Sequence, residues 1–528
     1  MERVAILVVI GAEQGMTGSG RGTSVEQIRP LAANHLCSYN LCRTVHGEIL
    51  RRLLGRCCSF RPASEGSAEG AWERDMRLLG LDIGTTTICG LLVEATTGRI
   101  LDLASVRNTF RLPCTQPDEA LQDPESILAA SERIVGQLIG TDETVAGIGV
   151  TGQMHGIVYL DGQGQPAGPL YTWQDGRGDR EYAAGQTYAS FISEALGAQV
   201  STGMGFVTHY WNTRHGGAPE RAVAFCTVAD FVAMRLAGAA RPLLDASNAA
   251  SLGCFDLKDL RFRTDAAAQL GVSPSMFPPV VLDYPSLGKG PGGAPVFTAL
   301  GDNQASFLGA VGDRSRSVHV NIGTGSQVSV YSEHFAPISG IDLRPFPWGG
   351  YIFVGAGLCG GGAYALLHDF FERTVRLFTD GTKGAAYEVM NAIGLEALPD
   401  SRKLVVDTRF QGTRSDPSVR GNIANLSPEC FTPEHLIVGL REGIASELFD
   451  SYDRLPPEAR RRIDTLVGSG NGIRSNPELR KAFERTFGMP MRVPAHKEEA
   501  SYGAALLAGI AAGVLPDLQA AGALIRPS

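Results

Sequence analysis

The sequence predicts an α/β protein of two related domains facing one another, and three observations carry that prediction. Residues 78–106, LLGLDIGTTTICGLLVEATTGRILDLASV, set a Gly-Thr-Thr-Thr turn between two apolar strands. Residues 318–330, VHVNIGTGSQVSV, repeat the figure as strand, Gly-Thr-Gly turn, strand. A segment of helical period at 123–139 and the apolar run VAGIGVTGQ behind it add a helix and a buried strand to the first of these hairpins. A duplicated hairpin of this kind is a signature of duplicated domains. With 528 residues and about 150 residues per domain as a loose guide, two to four domains are expected. The natural boundary falls near residue 312.

The elements follow in order. Residues 1–75 differ from the rest: MTGSGRGTS, the pair Cys57-Cys58, scattered arginines and SEGSAEGAWE leave VAILVVI as the only strand-like run. They are expected to be a poorly ordered extension or an over-long start, with Met76 a natural first residue. From residue 78, LLGLDI and ICGLLVEA flank the first turn, and TTGR turns into a third strand, ILDLASV. Asp123 before Pro124 reads as an N-cap followed by a first-turn proline. After the second hairpin, YIFVGAG (351–357) and TLVGSG (465–470) read as further strands. Residues 76–312 thus form the first domain and 313–528 the second.

Composition narrows the function. Hydrophobic residues make up 44% and charged residues 19%, as in a folded globular chain. A net charge of −8 argues against a nucleic-acid or acidic-membrane surface but leaves room for a local phosphate pocket. The ten cysteines contain no CxxC pair, so buried free thiols in a reducing cytoplasm are expected rather than zinc or disulfides. The longest apolar runs, AILVVIG and ALLAGIAAGVL, are too short to span a bilayer.

A Gly-Thr turn suits a phosphate. Glycine lets backbone approach closely, successive N–H groups form an anion-binding concavity, and threonine adds hydroxyls without charge. A carboxylate beside such a turn, Asp82, would repel bare phosphate. It makes sense where a divalent cation such as Mg²⁺ stands between them, although a strand-end Asp in a threonine-rich hairpin is also common. Asp302, in ALGDNQASFLGA (299–310), falls at a strand-to-helix junction. There it is either a helix cap or a carboxylate facing a cleft, within reach of a hydroxyl proton.

The two hairpins resemble the phosphate motifs of the actin-like ATPase superfamily, whose domains are RNase H-like. VTGQMHGIVYLDGQGQP (150–166), TWQDGR (172–177), ALGDNQASFLGA and VGSGNGIRSNPEL (467–479) resemble the FGGY carbohydrate kinases, from about residue 77 to 515. Within that family QMHG is similar to the xylulose kinases. TWQDGR with RPLLDASNAASLGCFD (241–256) is similar to the sedoheptulokinases. The resemblance implies two RNase H-like domains with a cleft between them, and ATP-dependent phosphorylation of a ketose on its terminal hydroxyl by a monomer or homodimer. It makes Asp302 the general base and Asp82 the Mg²⁺ holder. Thr85, Thr86 and Thr87 would touch the nucleotide phosphates from one side, and Gly323, Thr324 and Gly325 from the other. Gly468, Gly470 and Asn476 would form the adenosine pocket, although GSGNG departs from the commoner Gly-Gly-Gly-Ala form and its interval to the next helix is longer. Gln153, Met154, His155, Trp173, Asp175, Arg177, Asn248 and Asn303 would line the sugar site. TRFQGTRSDPSVRG (408–421) resembles a family signature near the cleft but stays outside the core site. A conformational ATPase of the actin or chaperone type, and a non-catalytic sugar sensor, are the rival functions.

Overall fold

The first hairpin forms as its sequence suggests. Arg77–Ile83 (β1) and Thr87–Glu94 (β2) pair antiparallel, from Arg77 opposite Glu94 to Ile83 opposite Ile88. Leu78, Leu79, Leu81 and Ile83 are all fully buried, because β1 is covered on both faces and needs no polar alternation. Ile100–Arg107 (β3) adds antiparallel to β2. The structure is a computed structural model that describes residues 76–528, apart from 141–144, 380–385, 399–402, 414, 415 and 417. The expected extension over 1–75 lies outside the described residues.

Pro124–Ile139 (α1) is the expected helix. Asp123 accepts hydrogen bonds from the Glu125 and Ser126 N–H groups, and Ile127, Ile134, Val135 and Leu138 press on the sheet. The chain crosses over to Val145–Gly152 (β4), parallel to β1. Ser286–Lys289 (β5) and Pro295–Phe297 (β6) complete the first sheet, in the order β5-β6-β4-β1-β2-β3. The long excursion between β4 and β5 carries helices Val228–Leu236 (α2) and Ala246–Ser251 (α3). It also supplies most of a four-stranded sheet that includes Ile157–Leu160 and Pro166–Tyr171. Leu300–Gly301 pairs with the end of β4 and leads into Asp302–Ala310 (α4).

The second sheet repeats the first. Ser317–Ile322 (β7) and Ser326–Ser332 (β8) form the hairpin. Asp342–Pro345 (β9) and Tyr351–Gly357 (β10) extend it antiparallel. Helices Gly360–Phe378 (α5) and Pro433–Asp453 (α6) follow. Thr465–Ser469 (β11) then lies parallel to β7, as β4 does to β1. Gly470–Ser475 (α7) and Pro477–Phe487 (α8) precede Met491–Arg492 (β12) and Glu499–Ala511 (α9). The sheet order is β9-β10-β8-β7-β11-β12. Hairpin, antiparallel third strand and parallel return recur in both halves, which is the two-lobed α/β arrangement the sequence predicts.

One helix belongs to both lobes. On α9, Tyr502, Ala505 and Leu506 pack with Leu78, Leu91 and Val93 of the first sheet. Leu507 and Ala508 join Phe307 of α4 and Ile352, Val354 and Val467 of the second sheet. The fit is very close. A Cβ on Gly80 would lie 1.8 Å from the Ser501 carbonyl oxygen, and one on Gly309 would lie 2.0 Å from that of Glu499. Among the described residues no helix is long and apolar enough to cross a membrane. The six described cysteines are free, and all but Cys114 are buried.

Candidate active site

The first turn is held open by its own lobe. Asn108 donates from its backbone N–H to the Thr86 carbonyl and from Nδ2 to that of Gly84, both at 2.9 Å. Gln122 Nε2 donates to the Thr85 carbonyl (3.4 Å), and the Trp173 indole N–H donates to Thr85 Oγ1 (2.9 Å). Thr86 and Thr87 remain exposed. Asp82, at the end of β1, is half-buried, and its buried Oδ1 has no hydrogen-bond partner. Burial, then the charges of Asp302 and Glu498, push its pKa up to about 8. Such a carboxylate fits a cation. Among the described residues no group of three or more His, Cys, Asp or Glu side chains could hold a metal by itself. Asp82 would therefore supply one protein ligand, the remainder coming from phosphate and water, as Mg²⁺ accepts.

Asp302 is the first residue of α4, and the cap is Gly301. The reading of Asp302 as a mere N-cap is thereby removed. The backbone before it is pinned: the Gly301 N–H donates to Ser247 Oγ (3.0 Å), which donates to Asp245 Oδ1 (2.9 Å). Met154 packs its thioether against Gly301, where a Cβ would lie 2.6 Å from the methionine Cε. Burial pushes the Asp302 pKa up to about 6, with Arg344 and the Asn303 N–H pulling the other way.

The second turn opens on a cavity of about 870 Å³, lined by Gly323, Thr324, Gly361, Gly362, Gly470 and Asn476 among others. The α5 N-terminus sits on the turn. The Gly361 N–H donates to the Gly323 carbonyl (3.0 Å) and the Gly362 N–H to that of Thr324 (2.8 Å). A Cβ on Gly361 would lie 2.2 Å from the Gly323 oxygen, so glycine is required there. The start of a nineteen-residue helix facing a cavity favours anions. Gly325 lies against the Gly357 carbonyl and shapes the turn. Asn476 spends Oδ1 capping α8 through the Leu479 N–H (3.0 Å), while its buried Nδ2 has no partner. The Tyr364 hydroxyl donates to Asn391 Oδ1 (2.9 Å) on the same wall. The extra length before α8 is taken up by the short helix α7. Gly468 is a correction: it is a buried residue inside β11, where a Cβ would meet Met491 Sδ at 2.4 Å and Ile473, so it serves packing rather than the cavity.

On the sugar side, Trp173 is 45% exposed. His155 holds φ +72°, a strained value for a non-glycine residue. Its Nδ1 lies 2.8 Å from the Ser251 carbonyl, which fixes the tautomer and makes Nε2 the acceptor. Gln153 Nε2 donates to Gln122 Oε1 (2.9 Å), and its buried Oε1 has no partner. Asn303 Nδ2 donates across the cleft to Gln327 Oε1 (2.7 Å). Asn248 is fully buried, with Nδ2 on Asp230 Oδ1 (3.0 Å) and Oδ1 unpartnered.

Asp175 and Arg177 depart from expectation. Both are buried and paired with each other (Nε–Oδ1 2.5 Å, Nη2–Oδ2 3.0 Å). The guanidinium also donates to Asn212 Oδ1 and lies over Tyr171. Their hydrogen-bonding capacity is spent on the protein, so they brace the wall behind Trp173 instead of meeting a sugar.

Sequence reasoning missed Asn108, Gln122, Arg344, Gln327, Glu498 and the α5 glycines. Only the last leave a local signal, LCGGG directly after the strand YIFVGAG.

Comparisons agree with this geometry. The N-terminal domain model of the FGGY family of carbohydrate kinases matches residues 77–309, and its C-terminal domain model matches 318–512. Sedoheptulokinase of Mus musculus is 27% identical over 472 residues, 81% of this chain and 96% of its own length. The fold is similar to that of xylulose kinase from Rhodospirillum rubrum, with a TM-score of 0.74 and 24% identity over 86% of this chain and 93% of that one. It is also similar to that of Plasmodium falciparum glycerol kinase with ADP, with a TM-score of 0.72 and 17% identity over 86% and 93%. A duplicated glycine-turn hairpin, a carboxylate at a helix start and these matches lead to one conclusion: the chain belongs to the FGGY family of carbohydrate kinases, and its catalytic class is sugar kinase.

Proposed function

We propose that the chain uses ATP with Mg²⁺ to phosphorylate a ketose on its terminal hydroxyl, and that sedoheptulose, giving sedoheptulose 7-phosphate, is the substrate. The observation that carries the reading is the setting of Asp302. It stands at the start of α4, directly after Gly301, which pairs with the end of β4 and meets Met154, and before Asn303, which bonds to Gln327 just past the Gly323–Gly325 turn, with a pKa held near 6. A carboxylate of that pKa is ionised at neutral pH and basic enough to take a proton. As the sugar oxygen bonds to the γ-phosphorus, its proton passes to Asp302, the bond from phosphorus to the bridging oxygen breaks, and ADP leaves. Thr85–Thr87 and the Gly323–Gly325 turn hold the phosphates in line, and Trp173 offers an apolar face for sugar C–H groups. Asp82 would hold Mg²⁺, which neutralises phosphate charge when bound. Buried free thiols suit a reducing cytoplasm.

Sedoheptulose is favoured by TWQDGR and by the likeness to sedoheptulokinase over 81% of this chain. D-xylulose is the second reading, favoured by QMHG. Coupled ADP release over sedoheptulose, xylulose, ribulose, fructose, gluconate and glycerol decides between them: a higher kcat/KM for xylulose overturns the first choice. Asp302→Asn should lower kcat by at least about 10²-fold while nucleotide affinity holds, and near-normal turnover would remove Asp302 as base.

A further inference from the structure

The residues that follow Asp302 reach across the cleft. Asn303 bonds to Gln327 on β8, and Gln304 Nε2 donates to the Pro345 carbonyl at the end of β9 (2.9 Å). The residue before Pro345 is Arg344. In the sheet, Arg344 pairs with Ile352, and Ala356, four residues along the same face, pairs with Gln327. Arg344 and Gln327 therefore point from one face of the second sheet. On this face Ile352 and Val354 pack against Phe307 of α4. The Arg344 side chain is only 12% exposed, whereas its ion-pair partner Asp342 (Nη2–Oδ2 3.0 Å) is 47% exposed. A guanidinium sunk this far, with its partner half in water, is poorly compensated by that pair alone.

The ionisable groups on the elements that meet at the start of α4 are mostly acidic. Asp82 lies on β1, Glu498 lies ahead of α9, and Asp245 lies behind Gly301 through Ser247. All three are acidic. His319, on β7 against Phe307, is held neutral by burial, its pKa pushed down to about 4. Arg344 is a cation on the sheet face to which Asn303 and Gln304 tie the start of α4, close enough for its charge to favour the ionised Asp302 without an ion pair between them.

We propose that Arg344, carried by the nucleotide-side lobe, is a positioning residue for Asp302, holding the carboxylate at the sugar hydroxyl so that the base is complete only where the two lobes meet. The proposal rests on Asp302 being the base. Neither the hydroxyl nor the nucleotide needs to touch Arg344, so its loss should appear in kcat and spare both KM values.

The test uses the full chain, with D302N, R344A, R344K and the D302N/R344A double variant. R344A should lower kcat by about 10- to 100-fold with both KM values within about threefold. Millimolar guanidinium should restore at least about a third of wild-type kcat in R344A and do nothing in D302N. R344K, which keeps the charge on a flexible stem, should fall between. In the D302N background R344A should cost less than about twofold, since a group acting through the base has nothing left to act on. The proposal is overturned by a loss confined to one KM, by the same loss with and without Asp302, or by absent guanidinium rescue in folded R344A. Should R344A not fold, R344K and D302N/R344K decide by the same non-additivity. Failure of the base reading is separate: D302N alone would then retain turnover.

Discussion

The two turn hairpins have the same backbone plan and opposite chemistry. Two residues before the first glycine, the N-terminal hairpin has Asp82 and the other has Asn321. The first turn is propped by side chains, Asn108, Gln122 and Trp173. The second is covered by backbone, the glycine start of α5. One presents a carboxylate with an unpartnered oxygen, and the other lies under the N-terminal end of the α5 dipole, whose Gly361 and Gly362 N–H groups donate to the turn's own carbonyls. On the proposed function, that single oxygen-for-nitrogen difference would divide the work, with a cation at one turn and anionic oxygens at the other. Two carboxylates around one triphosphate would add repulsion, and two carboxamides would leave the cation without a ligand.

Exchanging these residues is the harshest test of the contrast. Asp82→Asn should lower kcat/KM by about 10²- to 10³-fold and flatten the dependence on Mg²⁺. The reverse change, Asn321→Asp, should instead raise the nucleotide KM by about tenfold, with sugar KM unmoved. Asp82→Asn also has a stability signature in the metal-free protein. The Asp82 pKa rises from 3.8 to about 8 on folding, so over that interval the native state holds a proton that the unfolded chain has lost. Its contribution to stability is full below about pH 4 and drains away as pH climbs through 8. Thermal unfolding across pH 5–9 should show this slope in the wild type and a shallower one in Asp82→Asn. An equal slope in both would break the assignment of the shift to Asp82.

The second turn is tested by Gly361→Ala. The added methyl meets the Gly323 oxygen, so α5 must retreat. Nucleotide KM should rise by roughly five- to tenfold, while sugar KM and Mg²⁺ dependence stay put. A larger effect on sugar than on nucleotide would mean that the second turn is not the nucleotide's. The smallest change sharpens the first turn: Trp173→Phe keeps an aromatic face and removes the hydrogen bond to Thr85. A loss of about 1 kcal/mol, or roughly fivefold in kcat/KM, is expected. No change at all would make that bond incidental to the loop.

Local chemistry made much of this legible. Turn glycines, strand-end carboxylates and the Asp123 cap act over a few residues, so LLGLDIGTTT, NIGTGS and GDNQAS can be interpreted without knowing their neighbours. Asp175 and Arg177 show the limit. Charged residues beside an exposed tryptophan read as ligands until Asn212, 35 residues away, and the Tyr171 ring claim the guanidinium. Arg344 shows it from the other side. Nothing in IDLRPF marks an arginine on the sheet face that the start of α4 reaches, because only the strand register of the second sheet puts Arg344 and Gln327 on that face. Glu498 is similar: its influence on Asp82 depends on α9 crossing to the first sheet.

That crossing bears on how such enzymes can be recombined. The helix Glu499–Ala511 comes last of the long elements, yet it lies against the first sheet at Gly80, with backbone where a methyl would not fit. A chimera that grafts residues 76–312 of this kinase onto another enzyme's nucleotide lobe would bring together a sheet and a helix never shaped to each other. The exchangeable unit is therefore discontinuous in the gene: the first lobe travels intact only with the helix encoded nearly two hundred codons further on.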